Sequence, residues 1–294
     1  MADRSPSLRA GQTGAPEPAF PGREHPIALT IAGFDPSSGA GITADLKTFA
    51  AHNVYGMACI SAMTVQSTLT VRSIAPLEVE LIRQTLDCLM EDVLFSGIKI
   101  GMLATSGIVR EVSAFLARSA VSRRRVVLDP VLRSSSGAAL IDSQGVHALQ
   151  EELLPHVGWM TPNLMELAAL TGVDRIGREE VPSAAHRLRE MANRTGNPEL
   201  TVVVTGGHLD SPDDFLLEAS GESSWHRGVR VHTDATHGTG CAFSSALLCR
   251  LIAGDRPDAA LAGAKAYVAA ALRAAYPIGK GKGPMNHLFL SGNY

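Results

Sequence analysis

The segment Asp234-Ala235-Thr236-His237-Gly238-Thr239-Gly240-Cys241 packs more reactive potential than any other stretch of this chain. It runs into the apolar stretch Ala242–Ile252, which has helical character and a glycine stop at Gly254. Gly238, Thr239 and Gly240 then place successive N–H groups at a helix start. That is an anion hole suited to a transferring phosphoryl group. Cys241 falls in the first turn, where the helix dipole favours the thiolate and so a proton acceptor. The same position also suits a buried structural cysteine. A second loop, Gly33-Phe34-Asp35-Pro36-Ser37-Ser38-Gly39-Ala40-Gly41, joins an apolar run to a helical one. Its glycines allow close backbone approach by a polar or anionic ligand, and Asp35 could equally be a cap for the turn. Neither loop matches the G-x-x-x-x-G-K-[ST] or G-x-G-x-x-G phosphate fingerprints.

Two more loops carry polar groups. In Thr161-Pro162-Asn163-Leu164-Met165-Glu166, Asn163 and Glu166 stand three residues apart at a helix start. They point to one side and could hold a hydrated magnesium beside phosphates, or serve as a helix cap with its acidic first-turn partner. Asp129, just before Pro130, is a further carboxylate at the end of an apolar run. In Val204-Thr205-Gly206-Gly207-His208, the two glycines would let a nucleotide approach the backbone, with His208 as a turn residue. Gln66 follows another such run.

The elements that position these loops alternate. Short runs at Ile27–Ala32, Met57–Thr64, Gly97–Ile100, Arg125–Leu128, Gly158–Met160 and Leu200–Val204 have strand character. Between them, Ile42, Leu46, Phe49 and Ala50 share a helical face, as do Val79, Ile82, Leu86, Leu89 and Val93, and again Ile108, Val109, Val112, Phe115 and Leu116. Such alternation predicts right-handed βαβ units: an α/β sandwich with a mostly parallel central sheet and helices on both faces. Ligands of such sheets lie beyond the carboxyl ends of the strands, where all four loops fall. Residues 215–233, with Arg227-Gly228-Val229-Arg230-Val231-His232, predict a small antiparallel hairpin. Cys59, Cys88 and Cys249 fall in apolar patterns and are expected in the core.

Composition narrows the class. Charged residues make up 19% of the 294, below the usual ~25%, so much of the chain is interior and it is not a disordered protein. Lys+Arg at 26 against Asp+Glu at 29 gives a net charge of −3 without a basic block, which argues against a nucleic-acid surface. No apolar run approaches the ~18–20 residues that span a bilayer. The four cysteines lack zinc or disulfide-frame spacing, which fits a reducing compartment. Residues 1–26, rich in proline and glycine, are expected to be a flexible extension, and 27–294 a single domain.

From Ala28 to about His287 the chain closely resembles the hydroxymethylpyrimidine/phosphomethylpyrimidine kinases of thiamine biosynthesis, within the ribokinase-like superfamily. The resemblance rests on A-L-T-I-A-G-F-D-P-S-S-G-A-G-I-T-A-D-L-K-T-F, K-I-G-M-L, D-P-V, T-P-N-L-M-E, G-G-H, T-H-G-T-G-C and G-K-G-K-G-P-M-N-H, in that order. It implies a ribokinase-like three-layer sandwich. It also implies ATP- and Mg²⁺-dependent phosphorylation of the pyrimidine alcohol and then of its monophosphate, in a cytoplasmic homodimer. By that resemblance Gln66 would bind the aminopyrimidine, with Gly33, Met102 and Val131 lining its pocket and Asp45 a nearby polar partner. Gly238 and Gly240 would form the anion hole and Cys241 the catalytic base. Asn163, Thr205 and Thr239 would face the nucleotide phosphates, and Glu166 and Asp129 the metal. Three positions depart from the family's usual pattern: Phe34 in place of Ser or Thr, Thr205 in place of Lys, and Arg133 after D-P-V. The rival reading within the superfamily is a pyridoxal kinase of the cysteine-containing branch. The rival outside it is a non-catalytic pyrimidine-binding paralogue, against which the joint presence of Cys241, Gly238, Gly240 and Glu166 argues.

Overall fold

The computed structural model describes residues 25–134, 137–207 and 209–289. Nearly all of the expected N-terminal extension, together with His208, lies outside them. Among the described residues nine strands form one sheet in the order β3-β2-β1-β4-β5-β6-β7-β8-β9. They are β1 (Ile27–Phe34), β2 (Tyr55–Gln66), β3 (Val71–Pro76), β4 (Gly97–Ile100), β5 (Val126–Leu128), β6 (Trp159–Met160), β7 (Thr201–Val204), β8 (Asp214–Leu217) and β9 (Ser223–His226). The six strands β2-β1-β4-β5-β6-β7 are parallel, and the edges are antiparallel. Strands β4, β5 and β7 are buried throughout, as near-continuous apolar runs in a doubly covered parallel sheet must be.

Among the described residues eight α-helices cover the two faces: α1 (Gly41–Ala51), α2 (Val79–Asp92), α3 (Ser106–Arg118), α4 (Ser143–Ala148), α5 (Leu164–Thr171), α6 (Val181–Arg194), α7 (Thr239–Ile252) and α8 (Pro257–Arg273). Strand side chains alternate between two cores. On one face Leu29, Ile31, Ile98, Ile100 and Leu128 pack with α2, α3, α5 and α6. On the other, Ala28, Val127, Trp159 and Val203 pack with Phe49 of α1 and with α7 and α8. The resulting three layers agree with the expected architecture. Chain order reverses between β1 and β4, so the crevice at their carboxyl ends is the switch point where ligands of such sheets bind.

The antiparallel hairpin expected within residues 215–233 is present as β8 and β9, but residues 227–232 are not part of it. There the Gly228 amide donates to Asp213 Oδ1 at 2.9 Å and the Arg230 guanidinium bonds the Leu209 carbonyl, which draws the segment off the sheet. Strand β3, with four of its six residues exposed and its polar residues Arg72 and Ser73 adjacent, had no apolar period to announce it. Cys88 is exposed on α2, whereas Cys59 and Cys249 are buried as expected.

One buried group gives stability a pH dependence. His287 is 3% exposed, and its Nε2 meets no hydrogen-bond partner among the described residues. Burial, reinforced by the charges of Lys47 and His237, pushes its imidazole down to about 4. The unfolded chain takes up that proton near pH 6.5, so its contribution to stability is complete above 6.5 and is lost as pH falls towards 4. The loss is on the order of 3 kcal/mol at most. Urea midpoints measured between pH 7.5 and 4.5 should therefore fall less steeply in His287→Leu than in the wild type. Parallel declines would assign the acid sensitivity elsewhere.

Candidate active site

Asp35 organises the loop after β1. Its Oδ1 accepts from the Ser37 amide and hydroxyl at 2.8 and 2.7 Å, and its Oδ2 from the amides of Gly39 and Ala40 at 3.2 and 2.9 Å. His237 Nε2 reaches the same Oδ2 at 2.7 Å from 202 residues away. Burial opposes ionisation of this carboxyl, but the bonds from His237 and Ser37 outweigh it and hold the carboxyl below its ordinary range. The loop turns into α1 at Gly41, whose φ is +57° and where a side chain would overlap the Gly33 carbonyl.

Against this loop sits the start of α7. Gly238 caps the helix in the left-handed region at φ +79°, and a Cβ there would overlap the Gly39 carbonyl. Only glycine meets both demands, so the two glycine loops interlock. A Cβ on Gly240 would lie 3.9 Å from Asp129 Oδ2, which places the G-T-G turn over that carboxylate. Ser244, one turn on, donates to Asp129 Oδ2 at 3.3 Å. Cys241 sits at the third helical position above the same group, half-buried.

The charges beneath revise two expectations. Burial pushes the Cys241 thiol up to about 12; Lys99 pulls the other way, and Asp129 and Asp45 add to the rise. A helix start contributes only ~0.3–1 kcal/mol in favour of a thiolate, and desolvation exceeds it. Asp45, expected beside the substrate, is fully buried and has a different partner set. Its Oδ2 accepts from Thr30 Oγ1 at 2.6 Å and Lys99 Nζ at 3.0 Å, and its Oδ1 from Ser245 Oγ at 2.8 Å. It is thus the counter-ion of Lys99, a residue quoted in K-I-G-M-L without a role. Burial alone would lower the Lys99 ammonium, but Asp45, Cys241 and Asp129 together hold it above its ordinary value.

Asp129 and Glu166 form a pair of carboxyls in a low-dielectric floor. Burial raises both, Glu166 to about 8, and Asp129 adds to the rise at Glu166. Two buried carboxyls whose ionisation is held back suit a divalent cation, which would supply the missing positive charge. Among the described residues no three His, Cys, Asp or Glu side chains cluster to hold a metal unaided. Phosphate oxygens and water would have to complete the shell, as is usual for magnesium. Asn163 forms a full capping box with Glu166: Asn163 Oδ1 accepts from the Met165 and Glu166 amides, and Glu166 Oε2 from the Asn163 amide at 2.9 Å. The capping alternative therefore holds, and it fixes Glu166 at the sheet edge.

On the acceptor side, a Cβ on Gly33 would lie 3.0 Å from Met102 Sδ, and Met102 packs with Ala62 and half-buried Val131. Gln66 lies 3.1 Å from His237 Nε2 through its amide nitrogen and 3.2 Å from Thr64 Oγ1 through its oxygen. Thr64 has one hydroxyl proton and the Phe34 carbonyl takes it at 3.0 Å. The short contact to Asp35 places a proton on His237 Nε2. Exchanging the ends of the amide, oxygen to His237 and nitrogen to Thr64, removes the donor–donor and acceptor–acceptor contacts, and the single Nε2 proton is then shared between Asp35 and Gln66. His237, which the sequence offered only as part of T-H-G-T-G-C, joins both glycine loops to Gln66.

The remaining positions are peripheral. Thr205 pairs with Asn163 through a parallel bridge, and its amide donates to the Pro162 carbonyl at 2.9 Å. Gly206 is required by packing, since a side chain there would overlap the Asp213 carbonyl. Arg133 is exposed and donates to the Gly137 carbonyl at 3.3 Å. A cavity of about 590 Å³ lies next to the capping box, lined by Leu164, Met165, Ile176 and Leu209 among others.

Residues 35–286 match the family described as phosphomethylpyrimidine kinase. The hydroxymethylpyrimidine/phosphomethylpyrimidine kinase of Haemophilus influenzae is 38% identical over 264 residues, covering 88% of this chain and 95% of its own. Among solved structures, an ADP complex of Bacillus subtilis pyridoxal kinase has a TM-score of 0.80 and 30% identity, covering 92% of this chain and all of its own. The phosphomethylpyrimidine kinase of Clostridium difficile has a TM-score of 0.70 and 31% identity, over 84% of this chain and 99% of its own. With its matched span, its sheet order and its interlocked glycine loops, this chain belongs to the phosphomethylpyrimidine kinase family.

Proposed function

We propose that this chain transfers the γ-phosphoryl group of ATP to the hydroxymethyl oxygen of 4-amino-5-hydroxymethyl-2-methylpyrimidine, and then to the phosphate of the resulting monophosphate, in thiamine biosynthesis. The observation that carries the reading is the meeting of three groups at one sheet edge: the glycine amides that open α7, the Asp129 carboxylate beneath Gly240, and the Gln66–His237–Asp35 chain beside them.

Gln66 is suited to the aminopyrimidine because a side-chain amide offers donor and acceptor together. After bonding His237 and Thr64 it retains one N–H and one oxygen lone pair. Gly33, Met102 and Val131 form the apolar wall. The amides of Gly238 to Gly240 stabilise charge on the transferring group, and Asn163, Thr205 and Thr239 border the nucleotide phosphates. Asp129 and Glu166 would hold Mg²⁺, which when bound neutralises phosphate charge. Cys241 accepts the alcohol's proton.

Replacing Gln66 tests the acceptor assignment. Gln66→Leu is expected to raise the KM for the pyrimidine about tenfold or more, the cost of leaving buried polar groups unpaired, with the KM for ATP nearly unchanged. An unchanged pyrimidine KM would remove Gln66 from the site. The overlay on Bacillus subtilis pyridoxal kinase supports a second reading, pyridoxal phosphorylation, and turnover of the two alcohols by one preparation separates the two.

The reading extends to a homodimer in a reducing cytoplasm. Met63, Val65 and Leu69 are 40%, 58% and 62% exposed on the β2–β3 hairpin, an apolar face for a second copy. All four cysteines are free, and no helix among the described residues is long and apolar enough to cross a membrane. Sedimentation equilibrium would report a monomer if the hairpin does not pair.

A further inference from the structure

The second transfer sets a problem that the first does not. Its acceptor is an anion that must approach the anionic triphosphate, whereas the alcohol is neutral. The cations already described are committed elsewhere: Lys99 is buried on Asp45, and Lys47 donates to the carbonyl and hydroxyl of Ser38, each at 2.8 Å. Arg133 is bonded to its own loop.

The G-K-G-K-G segment provides two that are not. At one end the Gly281 amide donates to Thr68 Oγ1 at 3.3 Å, and side chains at Gly279 or Gly281 would overlap Thr68. Thr68 follows Gln66 by two residues. At the other end the Gly283 carbonyl accepts from the His237 amide at 3.1 Å, and Pro284 pairs with His237 beside Gly238. A Cβ on Gly39 would lie 3.2 Å from the Pro284 ring. The segment therefore runs from the acceptor-binding glutamine to the anion hole, fastened at both ends. Between the fastenings stand Lys280 and Lys282, both exposed and neither in an ion pair with a described residue. Glycines flank each of them, so no neighbouring side chain competes for the ammonium groups.

We infer that Lys280 and Lys282 form a cationic rim that binds the phosphate of the monophosphate acceptor and so serve the second transfer selectively. In that transfer an ionised oxygen of the monophosphate attacks the γ-phosphorus of ATP. A P–O–P bond forms, the bond from the γ-phosphorus to the β–γ bridging oxygen breaks, and ADP leaves with the electron pair. No proton has to be removed from the attacking oxygen, so the need is for counter-charge. Two ammonium groups on a backbone held at both ends provide it as charge-assisted hydrogen bonds.

The inference rests on the two-step reading above, and the test separates the two. In Lys280→Gln/Lys282→Gln, the Kd of the monophosphate measured without ATP should rise at least ~10-fold, and kcat/KM for its phosphorylation should fall by a similar factor. Binding and turnover of the alcohol should stay within about threefold. Raising the salt should shrink the difference between wild type and variant, and Lys280→Arg/Lys282→Arg should restore binding. Equal losses on both acceptors, no loss on either, or a raised KM for ATP in both steps would overturn the assignment. If the wild type phosphorylates neither acceptor, the two-step reading fails by itself, and the Kd comparison still decides whether these lysines read a phosphate.

Discussion

Replacing Cys241 with alanine is expected to lower kcat for the pyrimidine alcohol at least ~10²-fold while both KM values stay within a few-fold. Phosphoryl transfer asks little covalent chemistry of a protein, so positioning, charge neutralisation and proton acceptance are what its side chains supply. Cys241 stands in the first turn of α7, beside the Gly238–Gly240 amides, so a base there and the anion hole address one reacting centre. Its thiol, pushed up to about 12 by burial, is a strong base once ionised but is seldom ionised in advance. Lys99 is the one positive group acting against that rise, so it bears directly on the base. Cys241→Asp should recover part of the loss, because a carboxylate is an acceptor at neutral pH. The monophosphate step should suffer less, since its attacking oxygen carries no proton. Turnover of the alcohol by Cys241→Ala within about threefold of wild type would return Cys241 to a structural role.

The largest expected effect on stability belongs to Lys99→Met. Lys99 and Asp45 are both fully buried, and their ion pair joins β4 to α1 directly below the site. Removing the ammonium leaves Asp45 charged in the interior with only the hydroxyls of Thr30 and Ser245 to satisfy it. Breaking such a pair from one side costs about 3–5 kcal/mol, because the surviving charge is uncompensated. In a domain of this size that corresponds to a Tm lower by on the order of 10 °C. Adding Asp45→Asn should return at least half of the loss, since the amide keeps partners for both hydroxyls and carries no charge. Calorimetric melts of the wild type, both single variants and the double variant measure the coupling. Additive losses would show that the two residues do not act as a pair.

What could be known without coordinates was whatever depends on neighbours in the chain. Strand β4 could be placed at Gly97–Ile100, because both of its faces are covered and every residue must be apolar or paired. The helical face of α3 follows for the same reason, and those of α1 and α2 do in part, with Ala50 and Val79 exposed at their ends, and so does the helix start at Gly238-Thr239-Gly240, since caps and turns are local. Edge elements were hidden: β3 is half solvated and needs no apolar period, and the 227–232 segment alternates like a strand but is drawn away by Asp213 and Leu209.

At the site, the sequence supplied the types of groups and tertiary contact decided their partners. His237 meets Asp35 across 202 residues and Gln66 across 171, and Lys99 meets Asp45 across 54. No spacing rule spans such distances, so Asp45 could be read as a substrate ligand although it is the counter-ion of a buried lysine. Protonation was likewise out of reach. A helix start is visible in sequence and argues for a thiolate, but the desolvation that raises Cys241 comes from α1, β4 and β5 closing around it. Local chemistry chose which residues could act; the three-dimensional burial of charge determined in which ionisation state each of them waits.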